Sequence, residues 1–301
     1  MKVGQSEKRS LLLLCRLLGY SRQAYYGHFR VCEHEAIGAE LVVQEVVAIR
    51  REQKHIGTRK LHFMLSEFMT RHSLRIGRDK LFGLLREHSL LVRRRRRKTP
   101  RTTFSCWWLK RYPNLAKEFS PSEANQLWVS DITYIRVREG FAYLSLITDA
   151  YSRKIVGYCL SRYLTAQGCV SALRMALAEN PDRHDLIHHS DRGVQYYSAQ
   201  YVKLLGSKIR ISMSEKSDPL ENSIAERVNG ILKSELLERS YQNFNDARHA
   251  AGKAIDTYNN YRPHLSIDML TPSEAHARRG ELKRRWKNYG FTRPVSVQAM
   301  A

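Results

Sequence analysis

Three acidic residues stand where a carboxylate is useful for chemistry. Asp131 lies inside the strand-like run Leu127-Trp128-Val129-Ser130-Asp131-Ile132-Thr133-Tyr134-Ile135. Asp191 follows the short apolar run Leu186-Ile187-His188, within His189-Ser190-Asp191-Arg192-Gly193-Val194-Gln195-Tyr196, and Gly193 is placed for a tight turn. That puts Asp191 at a strand's C-terminal tip, where α/β sheets commonly present chemistry. Glu226 falls in a helical run further on. Carboxylate oxygens gathered from two strands and a helix can hold two Mg²⁺ ions, with Mn²⁺ as a substitute, and such a pair serves phosphodiester chemistry. With 29 acids in the chain, spacing alone decides nothing. The weight falls on the elements that carry each acid.

Those elements are legible from Asn125 onward. Alternating and apolar runs predict strands over 127–137, 141–148 and 154–160, with turns at Glu139-Gly140 and Ala150–Arg153. A helix over 166–179 is stopped by Asn180-Pro181; a strand at 186–190, a helix at 198–206 and a strand at 209–213 follow. Three strands in a meander and then alternating helix and strand is the order of the ribonuclease H-like fold, an α/β class with a mixed five-stranded sheet. In the helix carrying Glu226, 100° per residue places Asn222, Glu226, Asn229 and Lys233 within roughly 60° of one another. Ile224, Val228, Ile231 and Leu232 lie opposite. Lys233 comes two turns after Glu226, about 10 Å away, a position suited to a DNA phosphate. Asn222 and Arg192 join it as candidate DNA contacts.

Charge points to the partner. Fifty-one lysines and arginines against 29 acids leave +22, which argues for a polyanion, most often nucleic acid. Residues 1–126 hold 26 of the bases and 11 of the acids, so the N-terminal part reads as the electrostatic grip. Helical spacing there predicts a helix-turn-helix over 8–27, then helices at 36–54, 61–69 and 76–89. The result is an all-α, helix-turn-helix-like region whose last helix would offer Arg78, Lys80 and Arg86 to DNA. Arg93, Arg94, Arg95, Arg96 and Arg97, with Lys98, form a like-charge run that cannot fold on itself and would track a phosphate backbone. The expected organisation is a helical DNA-binding region at 1–92, a basic linker at 93–124, a catalytic core at 125–240, and a helical extension with a basic tail at 241–301. The five cysteines (Cys15, Cys32, Cys106, Cys159, Cys169) show no C-x-x-C pair, which argues against structural zinc and a disulfide framework. Leu11–Leu14 is far too short for a signal or a span, so a cytoplasmic protein is expected.

The set of motifs resembles the integrase-core transposases of bacterial insertion sequences, the insertion sequence 3 family, relatives of retroviral integrases. It comprises Trp128–Tyr134, Leu146-Ile147-Thr148-Asp149, His189–Tyr196, Ser212-Met213-Ser214, Asn222 through Glu226 to Lys233, and Tyr258–Ser266 with Thr271-Pro272. The resemblance runs from Cys15 to about Ala275 and implies that Asp131, Asp191 and Glu226 are the acidic triad and Lys233 the basic residue that follows it. It further implies Mg²⁺-dependent cleavage and strand transfer on double-stranded DNA, assembly as a homo-oligomer on that DNA, a circular intermediate and a helper from an upstream reading frame. Departures from the family pattern are Ser217, Glu221 and Val228-Asn229. Two rivals come from other classes: a DNA-binding regulator or degenerate transposase without catalysis, and a recombinase with a covalent tyrosine, for which Arg262-Pro263-His264 is the feature to examine.

Overall fold

The computed structural model describes residues 11–92, 112–117, 119–181, 185–215 and 219–285. The chain divides into two units, 1–93 and 94–301.

In the N-terminal unit, helix α1 spans Arg22–Glu52, α2 Thr58–Met64, α3 Ser66–Arg71 and α4 Arg78–Glu87. Ser21 caps α1, its hydroxyl accepting the Ala24 N–H. The sequence suggested a helix-turn-helix ending at 27 and a separate helix from 36; instead the chain runs through without a break from Arg22. Its one interior interruption there, Gly27, costs a helix only about 1 kcal/mol. The helix predicted at 61–69 is divided at Leu65. Val42, Val46, Ile56, Leu61, Leu65, Met69, Leu81 and Leu85 form the core of this unit.

The second unit is built on a five-stranded sheet: β1 Leu127–Val137, β2 Gly140–Asp149, β3 Ile155–Ser161, β4 Ile187–Ser190 and β5 Arg210–Met213, in spatial order β3-β2-β1-β4-β5. β1, β2 and β3 pair antiparallel, and β4 and β5 add in parallel. This is the ribonuclease H-like arrangement expected from the strand order. Helices α5 (Ala166–Glu179) and α6 (Ala199–Leu205) cover one face over Trp128, Ile147 and Val156. Contact with β3 is so close that a Cβ at Gly157 would lie 2.2 Å from the Ala172 carbonyl oxygen.

Helices α7 (Ser223–Ile231) and α8 (Phe244–Asn260) cover the other face, where Val228, Ile231, Ala251, Ile255 and Tyr258 meet Ile135, Leu144 and Leu146. The expected extension from 241 is therefore half of a core layer. Asn259 shows why: its side-chain amide donates to the Ile155 carbonyl and accepts the Ile155 N–H, closing the start of edge strand β3. A short helix α9 (Pro272–His276) follows, with a Thr271/Glu274 capping box.

Candidate active site

The register of the sheet brings the first two acids together. β4 pairs with β1 only over Leu127–Ser130, and the last matched pair is Ser130 with Ser190. Asp131 and Asp191 are the next residue on each strand, on neighbouring parallel chains spaced about 4.8 Å apart. Helix α7 is fixed to this point from two sides. At its N-terminus Asn222 donates through Nδ2 to the Ser130 carbonyl at 2.9 Å, and one turn after Glu226, Asn229 donates through Nδ2 to Asp131 Oδ2 at 2.6 Å. Glu226 thus sits in the first turn of a helix laced to the strand that carries Asp131.

The electrostatics fit a crowded acidic edge. Asp131 is pushed up to about 7, first by burial and then by the charge of Asp191, against the Ile132 N–H and Asn229, with Glu226 adding a smaller push. Asp191 is also raised by burial, opposed by the Gly193 N–H that its Oδ1 accepts at 3.0 Å. Two close carboxylates of this kind hold a proton as a pair rather than singly. Gly193 has an ordinary φ of −63°; it supplies room, since a Cβ there would stand 3.0 Å from Asp191 Oδ1. Behind the pair, the His188 ring lies between Ser130 Oγ at 2.7 Å and Tyr201 Oη at 2.8 Å. Burial pushes His188 down to about 3, so it braces β1 against β4 as a neutral ring.

The donor set is all hard oxygen: three carboxylates and the amide of Asn229, whose buried Oδ1 has no hydrogen-bond partner. That chemistry suits Mg²⁺. Among the described residues, however, no three His, Cys, Asp or Glu side chains are grouped closely enough to hold an ion. Both Asp131 oxygens already accept hydrogen bonds, one from Ile132 and one from Asn229. The two aspartates follow the last matched pair of neighbouring strands, and the charge of Glu226 is felt at Asp131.

The remaining candidates divide. Asn222, expected to face DNA, is buried and serves as the tie to Ser130 just described. Arg192 donates from Nε to the Ser214 carbonyl at 2.8 Å, joining the ends of β4 and β5. Arg78 is paired with Asp79 and Lys80 with Glu35, both at the surface, and Arg86 is exposed. Arg93–Arg97 lie outside the described residues. Lys233 is exposed, but the helical stripe predicted to reach it is interrupted: residues Leu232–Leu236 form a π-helical turn, whose extra residue shifts the register after Ile231. Arg262 belongs to a buried cluster, its Nε and Nη2 each 2.9 Å from Glu235 and its Nη1 2.8 Å from His264. Neighbouring Tyr258 is fully buried and its phenol strongly raised, which suits packing and not nucleophilic attack. Sequence reasoning placed Asn229 on the polar stripe without giving it a task. Its signal was position: one turn past a candidate acid on the same face.

Comparison with known proteins bears on the same region. Two models of the integrase core domain match residues 121–219 and 207–272. The 31 kDa protein of insertion element IS600 from Shigella sonnei is 34% identical over 266 residues, covering 86% of this chain and 96% of that protein. Transposase InsF for insertion sequence IS3A from Escherichia coli strain K12 is 34% identical over 53% of this chain and 57% of its own length. The transposase for insertion sequence element IS629 from Shigella sonnei is 32% identical, covering 60% and 61%. Among solved structures, the HTLV-2 integrase catalytic core domain in complex with magnesium aligns at 21% identity and a TM-score of 0.41, covering 51% of this chain and 97% of that one.

Proposed function

The chain belongs to the integrase-core transposases of bacterial insertion sequences, the insertion sequence 3 family, and on that premise we propose that Asp131, Asp191 and Glu226 are its catalytic, metal-holding carboxylates. The enzyme is a polynucleotidyl transferase of the acidic-triad class. Its substrate is double-stranded DNA, at the ends of the element and at the target. The observation that carries this reading is the register: Ser130 opposite Ser190 leaves two aspartates side by side just past the last matched pair of β1 and β4.

Two Mg²⁺ ions, or Mn²⁺ in their place, supply when bound the positive charge that activates an oxygen nucleophile and stabilises the departing oxygen. Asp131 and Asp191 would hold the ions, and Glu226 would complete the set from α7. Asn229 holds the Asp131 carboxylate in one orientation, and Gly193 does the same for Asp191. His188 stays neutral and keeps the strand pair rigid behind them. Lys233 would neutralise a phosphate, and Arg78, Lys80, Arg86 and the Arg93–Arg97 run would grip the duplex. Arg78 and Lys80 would exchange their acidic partners for phosphates. Water attack breaks one phosphodiester into a 3′-OH and a 5′-phosphate; that hydroxyl then attacks a second phosphodiester and displaces its 3′-oxygen as a new 3′-OH, so no protein–DNA covalent bond is needed. Action on two ends calls for at least two copies on the DNA, and an upstream-frame helper is part of the same proposal.

Labelled element-end DNA incubated with the full chain and Mg²⁺ tests the assignment. Strand transfer without protein-linked DNA is expected, lost in Asp131→Asn, Asp191→Asn and Glu226→Gln while DNA binding persists. Full activity in any of the three removes that residue from the triad. Binding without cutting by the wild-type chain would favour a regulator.

A further inference from the structure

The face of the sheet under α5 is covered only part of the way along. Ile132 and its partner across the strands, Ser145, lie beneath the helix. Beyond them, towards the β1–β2 turn, the same face carries Tyr134 opposite Tyr143 and then Arg136 opposite Phe141. Residues matched across antiparallel strands share a face, as do residues two apart on one strand. The three rings pack edge to face: Tyr134 is 5.2 Å from Tyr143 and 6.1 Å from Phe141, centroid to centroid. Their outer end is open to solvent at Phe141 and Arg136. Phe141 is 52% exposed, Arg136 is exposed, and both tyrosines are half-buried. Where β3 ends at Ser161, the register partner of Tyr143, the following loop exposes Tyr163 as well.

Cross-strand aromatics can exist purely to stabilise a hairpin. Two features favour more. Tyr134 is three residues along β1 from Asp131, about 10 Å at the rise of a strand. Its side chain leaves the opposite face of that strand, yet its phenol, raised first by burial, also feels the charges of Asp131 and Asp191. One DNA strand carries a phosphate about every 3.4 Å, so the ledge lies within a few nucleotides of the proposed reaction centre. It also joins flat apolar rings to an arginine with no ion pair among the described residues, on a chain of net charge +22. Rings for bases with a cation for the backbone is how proteins hold unpaired nucleotides, whatever their sequence.

We propose that Tyr134, Tyr143, Phe141 and Arg136 form a stacking ledge for an unpaired DNA base close to the reacting phosphodiester. The ledge holds the strand end splayed while the carboxylates work, and it rests on the transposase reading of the acidic edge. Fraying of the duplex end exposes the base; a ring face and the Arg136 guanidinium then replace its lost stacking neighbour and shield its phosphate.

The test compares two oligonucleotide duplexes of the same length, one fully paired and one with mismatches at its last positions and 2-aminopurine in the frayed arm. The full chain should bind the frayed duplex about tenfold more tightly and quench the 2-aminopurine. Phe141→Ala and Tyr134→Ala should bring the two affinities together without weakening the paired duplex, and Phe141→Trp should restore the preference. Unchanged preference in Phe141→Ala would overturn the ledge, as would an equal loss on both duplexes in protein with unaltered circular dichroism. Since Tyr134 is half-buried, the exposed Phe141 decides the matter if Tyr134→Ala does not fold. Asp131→Asn should keep the frayed-end preference while losing cleavage. A wild-type chain that prefers frayed ends and never cuts would sink the catalytic reading alone; one that cuts without the preference would sink the ledge alone.

Discussion

Asp131 and Asp149 lie on adjacent, paired strands and are treated in opposite ways. Asp149 is fully buried, yet its carboxylate accepts the Asn125 N–H at 2.8 Å, the Ser152 N–H at 2.8 Å and the Ser152 hydroxyl at 2.7 Å. His276 stands behind that hydroxyl at 2.9 Å. Among the described residues Asp131 accepts only from the Ile132 N–H and Asn229, and is raised to about 7, first by burial and then by the charges of Asp191 and Glu226. A carboxylate meant to hold the fold is surrounded by donors. One meant to capture a cation is left with too few donors and too many like charges, an imbalance that a bound cation corrects.

The contrast is breakable. Asp131→Asn should lower strand cleavage about a thousandfold, since metal charge contributes several kcal/mol to such a transition state; Asp149→Asn should leave the activity of the folded fraction within severalfold of wild type. If the two results came out reversed, the roles assigned to the two aspartates would be wrong. Stability should show the same contrast against pH. With the folded pKa raised, the Asp131 penalty is absent below about 4, grows as pH rises and is complete above 7, where it reaches at most about 4 kcal/mol. Without added metal, Asp131→Asn should therefore melt higher than wild type at pH 8 and together with it at pH 4; equal midpoints at both would remove the strain. Asp149→Ala should cost about 3 kcal/mol in denaturant titrations by stranding buried donors, with little dependence on Mg²⁺. Asn229→Ala should lower cleavage about tenfold through misorientation of Asp131, chiefly in kcat; an unchanged kcat would make the 2.6 Å hydrogen bond incidental. The smallest effect expected is in DNA affinity: neutralising Arg93–Arg97 should flatten its salt dependence by about 0.9 for each phosphate no longer neutralised.

Both aspartates end or interrupt a strand in the sequence, so the pattern that exposes the sheet does not tell them apart. Period-two alternation located all five strands of the catalytic unit to within a residue or two because each has at least one buried face. The acids of the candidate site were visible because strand tips and helix faces are positions a periodicity can assign. What stayed hidden depends on partners distant in sequence. Asn222 looked like a surface contact until its bond to Ser130, 92 residues earlier, made it a tie. The π-helical turn at Leu232–Leu236 is anchored by Glu235 to Arg262, and no local propensity announces it. In the N-terminal unit, a helix-turn-helix ending at 27 and a separate helix from 36 were expected where one helix runs from Arg22 to Glu52. Helix continuity there is a sum of small preferences, which are easily misjudged.

The hydrogen bond between Ser152 and His276 spans 124 residues. A chain emerging from the ribosome can pair β1 with β2 early, but it cannot finish the corner around Asp149 until α9 has been made. Pairings so far apart along the chain are slow to close, and a gene copy interrupted before codon 272 would produce a sheet lacking that corner. Damage to the last stretch of the reading frame would thus be felt as poor folding yield, even though every acidic residue of the cutting edge had already been translated.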